Sequence, residues 1–251
     1  MNIKWDSEEY KRNFSFVPSY GEDVLSLITV GKGERALDLG CGNGHLTSAL
    51  YKRGFSVLGI DQSDDMLSLA REDYPDLEFR KGDALTFSLE KKADLIFSNA
   101  VFHWIDEERQ EDLMENISRN LKRGGELVFE MGGKGCAESV HSTLEEIFKE
   151  KGLLYKRTFF FPSIGEYAPI IERHGLKIDY AILFDRPTVQ SAKDGLFSWI
   201  RMFDSAPFEG FDERRVEEII REAEKRLEKR LFINGRWTID YVRLRMRAHR
   251  F

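Results

Sequence analysis

The chain has 251 residues, 41% of them hydrophobic, and a formal net charge of −6, which suits a globular fold with a substantial core. The acidic balance disfavours broad binding to nucleic acid. The two cysteines, Cys41 and Cys136, are too few for a disulfide framework and lack the spacing of metal ligands. No apolar run approaches a membrane span, and the first residues lack the apolar core of a signal peptide. We therefore expect a cytoplasmic protein with reduced thiols and no bound metal or membrane.

The first half of the chain alternates short apolar runs with amphipathic segments. The segment "DEERQEDLMENISRNLKRGG" predicts a helix that places Leu113, Ile117 and Leu121 on one face and ends at the glycines. Strands separated by helices of this length predict a largely parallel sheet with both faces covered. Five such strands are predicted, at "RALDLG", "SVLGID", "LEFRKGD", "ADLIFSNAVF" and "ELVFEM".

The second half predicts two further strands around a helical block. The run "KIDYAILFDRPT" predicts a strand, and residues 189–231 have a helical pattern. The closing run "TIDYVRLRMRAHR" alternates apolar residues with arginines, which is typical of a strand. If this strand lies within a covered sheet, its arginines must snorkel, pair with acids or lie beyond the sheet edge.

A glycine-rich loop follows the first predicted strand, in "ALDLGCGNGHL". Only Asn43 separates Gly42 from Gly44, whereas a dinucleotide fingerprint has two residues between its last two glycines. The lysine and hydroxyl of a phosphate-binding loop are also missing. Glycine at positions 40 and 42 lets the main chain approach a ligand closely, and the helix after the loop presents N–H groups to a carboxylate. Asp38, two residues before the first glycine, suits a ligand with an ammonium group.

These residues resemble the first motif of the class I S-adenosylmethionine-dependent methyltransferases. Four more segments resemble the later motifs in order: "GIDQSDDML", "GDALTF", "DLIFSNAVFHWIDE" and "LKRGGELVFE". The resemblance implies S-adenosylmethionine as cofactor, with Asp61 on the ribose hydroxyls and Asp83 and Ala84 near the adenine. The full set of cofactor residues that it implies is Asp38, Gly40, Cys41, Gly42, Asn43, Gly44, Asp61, Gln62, Met66, Asp83, Ala84, Asn99, Ala100 and His103.

The resemblance also predicts the architecture. We expect an α/β protein with a Rossmann-like, doubly wound, mostly parallel seven-stranded sheet in a single methyltransferase domain that spans residues 1–251. Residues 1–30 are expected to form N-terminal cap helices. Residues 189–231 are expected to form a helical lid inserted between the last two strands.

Within this family the chain is similar to the small-molecule methyltransferases of the trans-aconitate methyltransferase group. This likeness implies a small-molecule acceptor, foremost a carboxylate oxygen, and no nucleic acid, since Asn99 is followed by Ala100 and not by the proline pair of base-methylating enzymes. Two alternatives stay open: C- or O-methylation of a quinone or secondary metabolite, and a non-catalytic module that binds S-adenosylmethionine. Both a monomer and a homodimer are compatible with the sequence.

His103 is the candidate catalytic residue, because it follows the fourth strand beside the expected cofactor. It has three possible roles: a general base, a hydrogen-bond donor to the acceptor, or a packing residue bonded to the backbone. An anionic acceptor also calls for arginine. The candidate substrate residues are Tyr10, Trp104, Glu130, Arg201 and Trp237.

Overall fold

A seven-stranded sheet lies at the centre of the computed structural model, which describes residues 23–190 and 194–251. The strands of the described residues are β1 (Arg35–Leu39), β2 (Ser56–Asp61), β3 (Glu78–Lys81), β4 (Ala93–Asn99), β5 (Leu121–Gly132), β6 (Leu176–Asp185), β7 (Thr188–Val189), β8 (Phe232–Ile233), β9 (Arg236–Ile239) and β10 (Val242–Arg250). The main sheet has the order β3-β2-β1-β4-β5-β10-β6, and only β10 runs antiparallel to its neighbours. The predicted Rossmann-like, mostly parallel sheet is confirmed.

Helices cover both faces of this sheet. The α-helices whose two ends both lie within the described residues are α1 (His45–Lys52), α2 (Asp64–Asp73), α3 (Gln110–Asn120), α4 (Glu138–Glu150), α5 (Ile164–Arg173), α6 (Gly195–Phe203) and α7 (Glu213–Leu231). In β4, Leu95 and Phe97 belong to the apolar cluster that contains Leu50 of α1, whereas Ile96 belongs to the cluster that contains Ile117 of α3. Burial on both faces explains why β4 is a continuous apolar run in the sequence.

The segment between β6 and β10 forms an insertion. It contains α6 and α7 and a small antiparallel sheet of order β7-β9-β8. The apolar stripe of α7 is buried, including Val216, Ile220 and Leu227, in one cluster with Leu144 of α4. Helices therefore occupy most of the predicted segment 189–231, of which residues 191–193 lie outside the described ranges. Its role as a lid stays a prediction.

Two boundaries differ from those predicted. Helix α3 ends at Asn120 and not at the glycines, because Leu121 already pairs with Ala93 as the first residue of β5. Gly124, with a φ of +76°, lies within the strand and does not cap a helix. The predicted last strand is divided, since Ile239 belongs to β9 and β10 begins at Val242. Two-residue strands such as β7 and β8 are too short to leave a periodic pattern.

The arginine face of β10 is explained by ion pairs. Met246 is buried in the core on the apolar face of the strand. On the opposite face, Arg245 Nε donates to Glu130 at 2.7 Å, and Arg247 Nε donates to Asp179 at 2.8 Å. Of the three solutions open to these arginines, Arg245 and Arg247 use pairing with acids.

Only the end of the predicted N-terminal cap, residues 1–30, is described. Leu25–Leu27 forms a 3₁₀ turn there, and Val24 and Leu25 are buried in the cluster that contains Leu50 of α1. Tyr10 lies outside the described residues. Within 23–190 and 194–251, no helix is both long enough and apolar enough to cross a membrane.

A buried polar chain ties the insertion to α4. The Tyr155 hydroxyl lies 2.5 Å from Oδ2 of Asp204, to which it donates, and 2.6 Å from Nδ1 of His141. Asp204 is the residue that follows α6, and His141 lies in α4. All three side chains are buried. The hydroxyl of Tyr155 therefore links two polar groups that have no access to water.

Replacing Tyr155 by Phe tests this link. The variant keeps the ring but leaves Asp204 and His141 without their shared partner, so we expect the free energy of unfolding to fall by about 1–3 kcal/mol. Urea unfolding of both proteins measures the difference. The matched control is Tyr51→Phe, since Tyr51 is 55% exposed, and its expected change is within about 0.5 kcal/mol. Equal stability of Tyr155→Phe and the parent protein would contradict the assignment.

Candidate functional site

The glycine loop after β1 packs against the end of β2 and against Val101, which follows β4. The N–H groups of Gly40 and Cys41 both donate to the carbonyl oxygen of Ile60 in β2, at 2.7 and 3.0 Å. Gly40 has a φ of +77°, and a Cβ atom there would lie 2.2 Å from a methyl group of Val101. Any larger residue at position 40 is therefore excluded by backbone strain and by this contact.

Asp61 at the end of β2 holds the next part of the loop. Its Oδ2 accepts from the N–H of Gly42, and its Oδ1 accepts from the N–H of Ser63, both at 2.9 Å. Burial raises the pKa of its carboxyl group. Ser63 caps α2 by accepting from the N–H of Met66, which is buried, whereas Gln62 is exposed.

Asp38 is a buried carboxyl group without a cationic partner among the described residues. It is 1% exposed, and its Oδ2 accepts a hydrogen bond of 2.6 Å from the hydroxyl of Thr47 in α1. Burial raises its pKa to about 7; the bond from Thr47 opposes this shift, and the charge of Asp61 adds to it. Such a site gains free energy when a cationic ligand group pairs with it.

The remaining predicted cofactor residues lie at the same edge of the sheet. Gly44, with a φ of +79°, precedes α1, and the Asn43 side chain accepts from the N–H of His45 at 3.4 Å. Asp83 follows β3, where its Oδ1 accepts from the N–H of Leu85 at 2.8 Å. Ala84 is buried, and Asn99 ends β4. The structure thus brings the loops after β1, β2, β3 and β4 to one edge, where ligands of open α/β sheets bind.

A cavity of about 60 Å³ lies next to the end of β4. Ala100, one of its lining residues, has a φ of +60°, and its N–H donates to the carbonyl oxygen of Glu130 at 2.8 Å. A residue other than glycine is strained in the left-handed conformation, and such strain is common at functional sites. The lining residues are Ala100, His103, Trp104, Cys136, Phe159, Phe161, Trp199, Phe203, Tyr241 and Arg243.

His103 lies in a 3₁₀ turn after β4 and lines this cavity. Its Nδ1 is 3.1 Å from the backbone nitrogen of Gly132, whose N–H donates to it. The ring proton of the neutral imidazole is therefore on Nε2. Burial lowers the pKa of His103 well below its ordinary 6.5, and the charge of Arg243 lowers it further. The side chain is a neutral hydrogen-bond donor at Nε2.

Arg243 supplies the positive charge of the cavity. Its guanidinium lies over the ring of Tyr241 at 4.5 Å, and its Nε is buried without a hydrogen-bond partner among the described residues. Its distance to Glu130 is 4.0 Å. The Glu130 carboxylate is instead held by Arg186, at 2.7 and 3.0 Å, and by Arg245, at 2.6 Å. Arg243 is thus the arginine of this group that is least engaged by the carboxylate.

Of the predicted substrate residues, Trp104 lines the cavity, whereas Arg201 and Trp237 do not. Trp104 lines the cavity, with its ring 4.6 Å from that of Phe159. Arg201 does not line it; the residue is exposed and pairs with Glu213 at 2.8 Å. Trp237 packs against Phe232, with the ring centroids 5.3 Å apart, also away from the cavity lining.

Arg243 lines the cavity but is not among the substrate residues predicted from the sequence. The available signal was the arginine face of the last strand, because charged side chains on a covered sheet need a partner or a ligand. Glu130, a predicted substrate residue, is not among the cavity-lining residues and instead pairs with arginines. Its carboxylate therefore orders the charged groups beside the cavity.

Comparison with known proteins identifies one family. Residues 36–125 match the family described as methyltransferase domain. An uncharacterised methyltransferase of Schizosaccharomyces pombe is 31% identical over 98% of both chains. A trans-aconitate 2-methyltransferase of Rhizobium meliloti is 33% identical over 68% of this chain and 67% of its own. A crystal structure of an S-adenosylmethionine-dependent methyltransferase from Mesorhizobium loti has a TM-score of 0.55 at 18% identity and covers 91% of this chain and 96% of its own.

The tautomer of His103 can be measured directly. We expect the imidazole to stay neutral, with the proton on Nε2, across about pH 6 to 8, because burial and Arg243 lower its pKa. Heteronuclear NMR of the histidine-labelled protein reports both properties, and the His103→Gln variant identifies the signal. A titration at the ordinary histidine pKa, or a proton on Nδ1, would contradict the assignment.

Proposed function

The chain belongs to the class I S-adenosylmethionine-dependent methyltransferases, and from this premise we propose that its methyl acceptor is a carboxylate oxygen of a small organic acid. The proposal rests on one observation. A guanidinium, that of Arg243, and a neutral N–H donor, that of His103, line the same aromatic cavity beside the carboxyl end of β4. The similarity to a trans-aconitate 2-methyltransferase supports an acid as acceptor.

The edge of the sheet beside the glycine loop fits the cofactor. The buried carboxyl group of Asp38 fits an ammonium group, and the amides at the start of α1 fit the carboxylate of the methionine part. We assign the ribose hydroxyls to Asp61 and the adenine to Asp83 and Ala84. When bound, S-adenosylmethionine supplies a methyl group on a sulfonium, and this methyl group is transferred by in-line displacement with S-adenosylhomocysteine as the leaving group.

The residues of the cavity bind and orient an acid without taking a proton from it. A carboxylate is already ionised near neutral pH, so no residue has to act as a base. Arg243 and Nε2–H of His103 both donate, which matches the acceptor-only chemistry of a carboxylate. The aromatic walls exclude water from the reacting groups.

The alternative acceptors require a group that the described lining does not supply. A phenol, an alcohol or a carbon acid has to lose a proton to a base. The lone pair of His103 is on Nδ1, where it accepts from Gly132. Cys136 and Tyr241 are the other described lining residues that can ionise to a base, and burial raises the pKa of both side chains. A cavity that carries a guanidinium and a neutral N–H donor also favours an enzyme over a module that only binds the cofactor.

The pKa of Asp38 makes cofactor binding depend on pH. Below its pKa of about 7 the carboxyl group is protonated in the free protein, whereas the ammonium group of the cofactor pairs only with the carboxylate. The affinity for S-adenosylhomocysteine should therefore rise with pH up to about 7, by as much as about tenfold per pH unit, and fall again only at more alkaline pH, where the ligand amine loses its proton. Calorimetry over this range measures it. Asp38→Asn should bind more weakly with a shallower acid limb; an equally steep limb in that variant would exclude Asp38.

Arg243 should carry the affinity for the acceptor. We expect Arg243→Gln to raise the KM for an acid, found by screening for S-adenosylhomocysteine release, by about ten- to a hundredfold, since a charge-assisted hydrogen bond is lost. The affinity for the cofactor should not change. Arg201→Gln is the matched control, because Arg201 pairs with Glu213 away from the cavity. An equal rise in both variants, or none in Arg243→Gln, would contradict the proposal.

A further inference from the structure

The lining of the cavity is aromatic on almost every side. Of the ten lining side chains that belong to the described residues, six carry benzene, phenol or indole rings. The rings of Phe159 and Phe161 are stacked, with their centroids 5.1 Å apart and their planes at 9°. The insertion supplies a further pair of rings, those of Trp199 and Phe203, whose centroids are 5.8 Å apart. Such rings bind flat, apolar groups by offset-stacked and edge-to-face contacts.

The same lining offers positive charge at one place only. Among the described residues, Arg243 is the single lysine or arginine that contributes to it. The neighbouring Arg186 and Arg245 are both bound to Glu130 and do not line the cavity. The faces of aromatic rings carry partial negative charge, so they do not replace a cation as partners of a carboxylate.

These two properties bear on how many carboxylates an acceptor can bring into the cavity. One carboxylate is satisfied by Arg243 and by Nε2–H of His103. A second or third one would lose its water against aromatic rings, and the described part of the lining offers it no cationic partner, which is strongly unfavourable.

We propose that the acceptor is a monocarboxylic acid with a flat aromatic or conjugated body, and not a tricarboxylate. This inference rests on the proposed carboxylate methylation and adds the class of acid. The carboxylate lies at Arg243 and His103, and the apolar body lies among the rings of Trp104, Phe159 and Phe161. The attacking carboxylate oxygen forms a bond to the methyl carbon, the bond between this carbon and sulfur breaks with its electron pair on sulfur, and no proton is transferred.

A panel of matched compounds tests the class of acceptor. The aromatic acids are benzoate, trans-cinnamate and 2-naphthoate; trans-aconitate is the tricarboxylate, and cinnamyl alcohol lacks the carboxylate. Release of S-adenosylhomocysteine gives kcat/KM, and calorimetry on protein saturated with S-adenosylhomocysteine gives Kd. We expect at least one aromatic acid to exceed trans-aconitate in kcat/KM by about tenfold or more, because only its body gains from the rings.

Variants of the aromatic wall give an independent readout. Phe161→Leu keeps the wall apolar but removes a ring, and it should raise the KM for the best aromatic acid by about three- to tenfold while leaving the Kd for S-adenosylhomocysteine unchanged. Phe251→Ala is the control, since Phe251 is 71% exposed and does not line the cavity. An unchanged KM in Phe161→Leu would contradict the inference.

The outcomes separate the inference from the proposed function. A higher kcat/KM for trans-aconitate than for every aromatic acid overturns the aromatic class and leaves carboxylate methylation standing. Turnover of cinnamyl alcohol without turnover of any acid overturns the proposed function itself. Absence of both binding and turnover for all three aromatic acids at millimolar concentration also overturns the inference.

Discussion

The hydrogen bond from the N–H of Gly132 to Nδ1 of His103 determines the chemistry of the cavity. At 3.1 Å it joins the end of β5 to the turn after β4, and it leaves the ring proton on Nε2. Burial keeps the imidazole neutral by lowering its pKa. The ring therefore presents a donor and no lone pair to the cavity, which fits an acceptor that has no proton to lose.

The charges around this bond follow from the pairing of β10 with β5. Arg245 lies opposite Glu130. Arg243, two residues earlier in β10, lies opposite Gly132 and lines the cavity. Glu130 is bound by Arg245 and Arg186, whereas Nε of Arg243 lies 4.0 Å from this carboxylate and Arg243 lines the cavity. A buried carboxylate thus binds two of the three arginines and leaves the third at the cavity.

The fold and the position of the glycine loop could be predicted from the sequence, because both depend on local patterns. Apolar runs, helical stripes and the glycine spacing around Gly42 are each read within a few residues. Of the proposed acceptor site, His103 and Trp104 could be predicted in this way, but Arg243 could not. Alternation shows that Arg243, Arg245 and Arg247 share one face of a strand, but which of them reaches the cavity depends on the register with β5. Arg201 looked equally suitable until the fold placed it on the surface with Glu213.

The chemical identity of the product tests the central claim most directly. The protein would be incubated with S-adenosylmethionine carrying a carbon-13 methyl group and with the best acid of the panel, and the labelled product analysed by NMR and mass spectrometry. Carboxylate methylation predicts a methyl ester, from which alkali releases labelled methanol and regenerates the acid. A labelled methyl group on a phenolic oxygen or on carbon, which survives alkali, would contradict the account.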